Sequence, residues 1–188
     1  MDLSVYLEKE MGLSKELITL LDEAFDYKEF PKNHILLSSG NRSKQVFYIE
    51  KGLVRIFYYK DGKDITDYFF AEDTFFLSVE NVFLDQEDHY SYQLLENCSI
   101  RIVDYSKIES LLDAHPKLNT LVRTIMAYHI KILADRVYNL QFQSAQNKYE
   151  DLMENFPDLI LRASLGHIAS YLGITQQTLS VIRANTKL

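Results

Sequence analysis

Two adjacent glutamines, Gln176 and Gln177, lie near the end of the sequence. A glutamine amide has both a donor and an acceptor, so it can form two hydrogen bonds with one partner. No acidic side chain follows Asp158, whereas Arg162, Arg183 and Lys187 do. Glutamines are also ordinary helix formers on exposed surfaces, so their role depends on the element that carries them.

The stretch from Leu165 onward has the spacing of two short helices joined by a tight turn. Ala169 supplies the small side chain that a steep helix crossing needs, and Gly173 supplies the positive φ of the turn. Thr175 follows as a cap for the second helix. The buried positions of such a motif are all apolar here: Ile168, Leu172, Ile174, Leu179 and Ile182. This pattern predicts a helix-turn-helix that presents its second helix to the major groove of DNA.

The sequence offers few residues for disulfides, metal or haem binding, or catalysis. Cys98 is the one cysteine, so it cannot form an internal disulfide or, alone, a zinc or iron–sulfur site, and we interpret it as a core residue. The five histidines are dispersed, and a haem ligand among them is the alternative that stays open: His34, His89, His115, His129 and His167. A metal enzyme on a cupin-like roll would need several histidines on neighbouring strands, which are absent. We therefore expect no enzymatic activity, no metal and no cofactor.

Composition and charge describe an ordinary globular chain with two unlike halves. Of 188 residues, 47% are hydrophobic and 25% are charged. No apolar run reaches the roughly 18 residues of a membrane-spanning helix, and the first residues do not resemble a signal peptide, so we expect a cytoplasmic protein without a membrane partner. Residues 1–116 carry a net charge of −10 and residues 117–188 a net charge of +3. The opposite signs indicate two roles, of which the second is compatible with a polyanion.

The order of elements is helices, then strands, then a long helix. Apolar residues at three- and four-residue steps predict helix over about the first 25 residues. Short runs of β-branched and aromatic residues between Phe30 and Asp104 predict an antiparallel roll, with Asp61-Gly62 as a hairpin turn. A helical stretch follows from about Ser106 to Gln143, with a break predicted at Pro116.

The long helix is apolar on more than one side. Leu121, Ile125 and Ile132 lie on one face of it, and Val122, Leu133 and Leu140 lie on another. Two apolar faces are typical of a helix that packs on its own domain and on a second copy, so we predict a homodimer through Leu121, Ile125 and Ile132. A helix buried within its own domain is the alternative.

This order of elements resembles the CRP/FNR family of bacterial transcription regulators over essentially the full length. The resemblance is carried by Phe30–Gly40, Val46–Ile56, Tyr59–Lys63 and His167–Ser180. It implies an α+β fold with a cyclic-nucleotide-binding-like sensor roll at 1–116, a dimerisation helix at 117–143 and a DNA-binding helix-turn-helix at 144–188. It also implies a homodimer that reads a pseudo-palindromic site on double-stranded DNA.

The phosphate cassette of the nucleotide-binding members is missing. That cassette has a Gly-Glu pair and later an arginine before Ser or Thr and Ala, because backbone N–H groups and a guanidinium hold the phosphodiester. The corresponding stretches here are Glu72–Glu80, without glycine, and Asp85–Tyr92, without arginine or lysine. We therefore predict that cAMP and cGMP do not bind in the family's manner. The roll is either a filled scaffold or holds an unidentified small molecule, for which the candidate lining is Phe75, Phe76, Glu80, Tyr90 and Tyr92.

The resemblance also assigns roles to residues of the second helix of the motif. It places Gln176, Gln177, Ser180 and Val181 toward the groove, with Thr175 and Thr178 near the DNA backbone. Arg183 and Lys187 would contact phosphates. Because glutamine pairs with adenine and Val181 suits a thymine methyl, we predict an A·T-leaning site. The sequence ends at Leu188, so we expect no β-hairpin wing after the motif, and weak affinity at higher salt.

A rival interpretation is a ligand- or protein-binding sensor module whose helix-turn-helix is vestigial. An activator would also contact RNA polymerase, but no surface for it is identifiable from the sequence.

Overall fold

The computed structural model describes residues 1–185 in two compact units. One unit comprises Met1–Ile56 and Phe69–Ile125. The other comprises Phe57–Tyr68 and the chain from Met126 onward. Of the predicted DNA-contact residues, Lys187 lies outside the described part of the chain.

The described elements follow the predicted order. The helices are α1 (Leu3–Lys9), α2 (Lys15–Ala24), α3 (Val79–Phe83), α4 (Tyr105–Ala114), α5 (Leu118–Phe142), α6 (Ala145–Asn155), α7 (Leu159–Arg162), α8 (Leu165–Leu172) and α9 (Gln176–Asn185). The strands are β1 (Asp26–Phe30), β2 (Ile35–Leu37), β3 (Gln45–Lys51), β4 (Val54–Lys60), β5 (Lys63–Phe70), β6 (Phe75–Leu77), β7 (Ser91–Leu94) and β8 (Cys98–Asp104).

The strands form two four-stranded sheets, in the orders β1-β8-β3-β6 and β2-β7-β4-β5. The pairings of β8 with β1 and β3, of β3 with β6 and of β2 with β7 are antiparallel, so the predicted antiparallel roll is confirmed. The hairpin between β4 and β5 turns at Asp61 and Gly62, whose φ angles are 53° and 72°. Two successive positive φ values are what a two-residue primed turn requires, as the Asp-Gly pair predicted.

The core of the first unit lies on both sides of β3. Alternate residues of a strand face opposite ways, so Val46 and Tyr48 pack with the N-terminal helices while Phe47 and Ile49 face the roll interior. Val46 and Tyr48 belong to a hydrophobic cluster on the helix side of β3. The other buried members of this cluster are Leu3, Leu7, Leu17, Ile18, Leu21, Phe25, Val103 and Leu118. Burial of the strand on both faces fixes the sheet against α1 and α2.

The predicted helix break at Pro116 is confirmed, because α4 ends at Ala114 and α5 begins at Leu118. Helix α5 has 25 residues, which is about 37 Å at 1.5 Å per residue. Leu118 is its one buried residue. No helix within residues 1–185 combines the length and the apolar character needed to cross a bilayer.

Candidate DNA interface and sensor roll

The turn between α8 and α9 has the backbone geometry that the sequence predicted. Gly173 adopts a left-handed conformation with φ 68° and ψ 33°. The N–H of Ile174 donates to the carbonyl oxygen of Ala169 at 3.0 Å, and the N–H of Gly173 donates to that of Ser170 at 3.1 Å. These bonds close the end of α8 and direct the chain into the next helix.

Thr175 caps α9, as predicted. Its Oγ1 accepts a hydrogen bond from the N–H of Thr178 at 3.0 Å and lies 2.8 Å from the Thr178 hydroxyl. Its carbonyl oxygen accepts from the N–H of Leu179 at 3.0 Å. The cap satisfies one of the backbone N–H groups that a helix start leaves open, and it holds both threonine hydroxyls at the N-terminal end of α9.

The two helices share a small apolar core. Ala169 is 2% exposed, which allows the helices to approach closely at that residue. The other buried side chains are those predicted from the spacing: Ile168, Leu172, Leu179 and Ile182. Ile174 is half-buried. Burial of Leu179 and Ile182 turns the opposite face of α9 outward.

The predicted DNA-contact residues of α9 lie on its exposed surface. Gln177, Ser180, Val181 and Arg183 are all exposed, and steps of three and four residues place them next to one another on the helix. Gln176 is also exposed, but its amide nitrogen lies only 2.9 Å from the position that a Cβ on Gly166 would occupy. The Gln176 side chain therefore lies over the first turn of α8.

Several contacts of the second unit were not foreseen from the sequence. The backbone N–H of Thr66, in β5, donates to the Ser170 hydroxyl of α8 at 2.9 Å. The ring centroids of Tyr68 and Tyr171 are 6.1 Å apart, and the Arg136 guanidinium lies 4.1 Å from the Tyr171 centroid. Burial raises the pKa of Tyr171, and the nearby Arg136 opposes that rise. No local pattern predicts these contacts, because they join segments far apart in the chain.

The aromatic residues proposed for the sensor pocket do not share one face. Phe75 packs toward the N-terminal helices, with its ring centroid 4.7 Å from that of Tyr48. Phe76 faces the roll interior, where it stacks on Phe47 at 5.0 Å and on Tyr92 at 5.9 Å. The structure therefore separates Phe75 from the other candidates, and aromatic rings occupy the interior around Phe76.

A polar cluster lies beside this aromatic stack. Asp88 is 1% exposed, and its carboxylate accepts hydrogen bonds from the Tyr92 hydroxyl at 3.0 Å and from the N–H of Tyr90 at 2.8 Å. The side chains of Glu80, Asp88 and His89 bring one ligand atom each to within 4.8 Å of one another. Burial raises the pKa of Tyr92, and the charges of Asp88 and then Glu80 raise it further, so the phenol stays protonated as a donor. Asp88 was missed by sequence reasoning because an acidic loop residue is normally solvated.

A separate cleft of about 460 Å³ lies elsewhere in the first unit. Lys44, Gln45, Val82, Tyr105 and Glu109 are among its lining residues, and none of the five pocket candidates is. Cys98 is buried, and burial raises the pKa of its thiol to about 11, which fits the predicted core role.

The residues proposed for dimerisation are half-buried on α5. Leu121 packs against the core cluster of the first unit, and Ile125 and Ile132 are also partly covered. A different set is exposed on the same helix, at steps of four, three, four and three residues: Met126, Ile130, Leu133, Val137 and Leu140. This second set is called the α5 stripe below.

Comparisons with known proteins show which folds this architecture resembles. The family profile described as cyclic nucleotide-binding domain matches residues 27–115. A CooA mutant from Carboxydothermus hydrogenoformans is similar over 98% of this chain and 84% of its own, with a TM-score of 0.72 and 21% identity. FixK2 from Bradyrhizobium japonicum is similar over 85% and 83%, with a TM-score of 0.74 and 16% identity. The Thermus thermophilus Catabolite Activator Protein is similar over 95% and 85%, with a TM-score of 0.60 and 16% identity. No curated protein sequence matches the chain significantly.

Residues 27–115 thus match a cyclic nucleotide-binding domain, and a long helix and a helix-turn-helix follow them along the chain. This fold is similar to those of CooA, FixK2 and the Catabolite Activator Protein, so the resemblance predicted from the sequence is confirmed at the level of the fold.

Proposed function

We propose that this protein is a DNA-binding transcription regulator that reads a pseudo-palindromic site as a homodimer. The observation that carries the proposal is the exposed face of α9. Thr175 caps the helix and Leu179 and Ile182 anchor it, so Gln177, Ser180 and Val181 are left free to meet base edges. A fixed helix with polar groups on its outer face is the element that enters the major groove in helix-turn-helix proteins.

The side chains on that face favour A·T pairs. The Gln177 amide can bond both N6 and N7 of adenine, and Val181, 56% exposed, offers only apolar contact, which suits a thymine methyl. Arg183 is exposed near the end of α9 and would contact phosphate. The Gln176 side chain would have to move away from Gly166 before it could reach a base. Gln177 would therefore contribute more to the recognition of the DNA sequence.

The α5 stripe supports the homodimer. Steps of four and three residues keep Met126, Ile130, Leu133 and Val137 on one face, which is the pattern of a coiled-coil seam. A second copy of the same helix would cover these side chains. At 3.6 residues per turn, this seam lies roughly 120° around the helix from the face that contains Leu121, Ile125 and Ile132.

The proposed sensor roll does not take cAMP or cGMP in the family's manner. Phe76, Phe47 and Tyr92 fill the interior with stacked rings. Asp88 and Glu80 place carboxylates in the stretch where the phosphate-binding groups were expected. Taking a phosphodiester out of water beside carboxylates is unfavourable.

The test is selection of bound DNA from a random duplex pool at low salt, followed by sequencing. We expect an inverted repeat with half-sites about one helical turn apart and A·T pairs at the glutamine positions. Gln177→Ala should weaken binding to the selected site by roughly 5- to 150-fold, because a good bidentate contact is worth about 1–3 kcal/mol. Gln141→Ala, an exposed glutamine on α5, is the matched control and should bind normally.

The rival interpretation, a sensor module with a vestigial helix-turn-helix, makes the opposite prediction. It predicts no enriched sequence and equal behaviour of Gln177→Ala and wild type. Enrichment dominated by G·C pairs would leave DNA binding in place and refute the glutamine argument.

A further inference from the structure

We infer that Glu80, Asp88 and His89 form a binding site for a divalent transition-metal ion in the sensor roll. One ligand atom from each of the three side chains lies within 4.8 Å of the other two. An ion between them can therefore reach all three with small side-chain rotations. The inference does not depend on DNA binding, and it replaces the expectation from the sequence that the protein has no metal site.

The two carboxylates of the cluster lie close together, and that of Asp88 is buried. Asp88 is 1% exposed, and its two recorded donors, the Tyr92 hydroxyl and the Tyr90 N–H, are both neutral. Among the described residues, no lysine or arginine forms an ion pair with Asp88 or Glu80. Two cations pair with other carboxylates of the same loop: Arg42 with Glu87 at 3.5 Å and Lys44 with Asp85 at 3.0 Å. A buried carboxylate close to a second one is costly unless a cation joins them.

The elements around the cluster hold its ligands in place. Tyr92 and the Tyr90 N–H fix the two oxygens of Asp88, which is the role that second-shell donors have in metal sites. Glu80 lies in the first turn of α3, which Ser78 caps by accepting from the N–H of Asn81 at 3.2 Å. The ring of His89 lies against that of Tyr90, with centroids 4.5 Å apart.

Asn81, the residue after Glu80, has a buried acceptor that is not satisfied. Its side chain is 2% exposed, and its Nδ2 donates to the carbonyl oxygens of Asn41 and Gln86 at 2.9 and 2.8 Å. Its Oδ1 is buried and has no hydrogen-bond partner among the described residues. Asn81 follows Glu80 on α3 and donates to the carbonyl oxygen of Gln86, two residues before Asp88, so the unsatisfied acceptor belongs to the same short segment of the roll.

The donor set identifies the class of ion. Two carboxylates and one imidazole suit Mn²⁺, Fe²⁺ or Zn²⁺, whereas Ca²⁺ and Mg²⁺ prefer oxygen ligands alone. Three protein ligands leave coordination positions for water. The roll would thus select a cation at the place where its nucleotide-binding relatives select an anion.

The test is calorimetric titration of the metal-stripped full-length protein with MnCl₂ and ZnCl₂, with MgCl₂ as the comparison ion. We expect saturable binding of one ion per chain. Glu80→Gln and His89→Ala should each lower the affinity at least about tenfold, as changes at metal sites commonly do. Glu87→Gln is the matched control, because it removes a neighbouring exposed carboxylate and should leave the affinity unchanged.

Two results would overturn the inference. One is the absence of saturable binding of either transition metal to a folded wild-type protein. The other is binding that Glu80→Gln and His89→Ala leave unchanged while their thermal unfolding matches wild type, since the metal would then sit elsewhere. Asp88→Asn is a less decisive variant because Asp88 is buried. Loss of DNA binding alone would bear on the proposed function and not on this site.

Discussion

Gly173 shows how one residue sets the geometry of the proposed DNA-binding motif. Its φ of 68° lies in the left-handed region, which glycine adopts without the steric cost that a Cβ imposes. The conformation allows the 3.0 Å hydrogen bond from Ile174 to Ala169 that ends α8. The position of α9, and of every residue proposed to meet a base, follows from this turn.

Gly173→Ala should therefore destabilise the motif. The left-handed conformation costs an alanine about 1–2 kcal/mol. No large clash adds to that cost, because the nearest atom to the new Cβ is a Leu140 carbon at 3.6 Å. We expect a lower free energy of unfolding in urea titrations followed by circular dichroism.

Ser180→Ala is the control for Gly173→Ala, since Ser180 is exposed on the same motif and should not affect stability. If the two variants unfolded at the same urea concentration as wild type, the turn would not need glycine.

Helix α5 packs into a core over its first part and exposes apolar side chains over the rest of its length. Its first part packs into the core of the first unit through Leu118 and Leu121. From Met126 onward, large apolar side chains remain exposed on one face, with Ile130 at 67% and Leu133 at 54%. Exposed apolar residues at coiled-coil spacing mark a surface for association rather than a solvated face.

Leu133→Glu should convert the proposed homodimer to a monomer, because a carboxylate at the seam would be buried without a cation. Sedimentation velocity at micromolar concentration measures the change directly. Ala134→Glu is the matched control, as Ala134 is exposed and lies outside the α5 stripe.

The same experiment separates the two candidate faces of α5. If Ile132→Glu produced monomers and Leu133→Glu did not, the face predicted from the sequence would be the seam. A wild-type monomer would refute both.

Across the whole molecule, the distribution of charge matches two roles. Residues 1–116 carry a net charge of −10 and residues 117–188 a net charge of +3, so the acidic total of −7 conceals a basic end. A polyanion is attracted to one end and repelled by the other. The roll itself has the wrong sign for an anionic ligand at Glu80 and Asp88.

Cyclic nucleotides should therefore not stabilise the protein. A ligand at about 100 times its Kd adds about 2.7 kcal/mol to the stability of the state that binds it. We expect cAMP and cGMP at millimolar concentration to leave the midpoint of thermal unfolding unchanged. A saturable upward shift with either nucleotide would show that the roll binds it without the cassette.

Local features were predictable because short-range sterics decide them. Asp61-Gly62 forms the expected turn, Thr175 caps α9, and Pro116 separates α4 from α5. In each case the conformation follows from the residue and its immediate neighbours. The match of the whole order of elements to a known family then extended these local predictions to the fold.

The sequence by itself determined the order of elements, the helix-turn-helix and the absence of an arginine in the stretch Asp85–Tyr92. Only the tertiary structure decided that Phe75 and Phe76 face opposite sides of the sheet and that Asp88 is buried beside Glu80. It also brought Thr66 to Ser170, 104 residues away. The physical reason is the distance along the chain over which each property is decided. The preferred φ of a residue and the spacing of apolar residues depend on a few sequence neighbours, whereas burial and contact depend on segments that meet only when the chain folds.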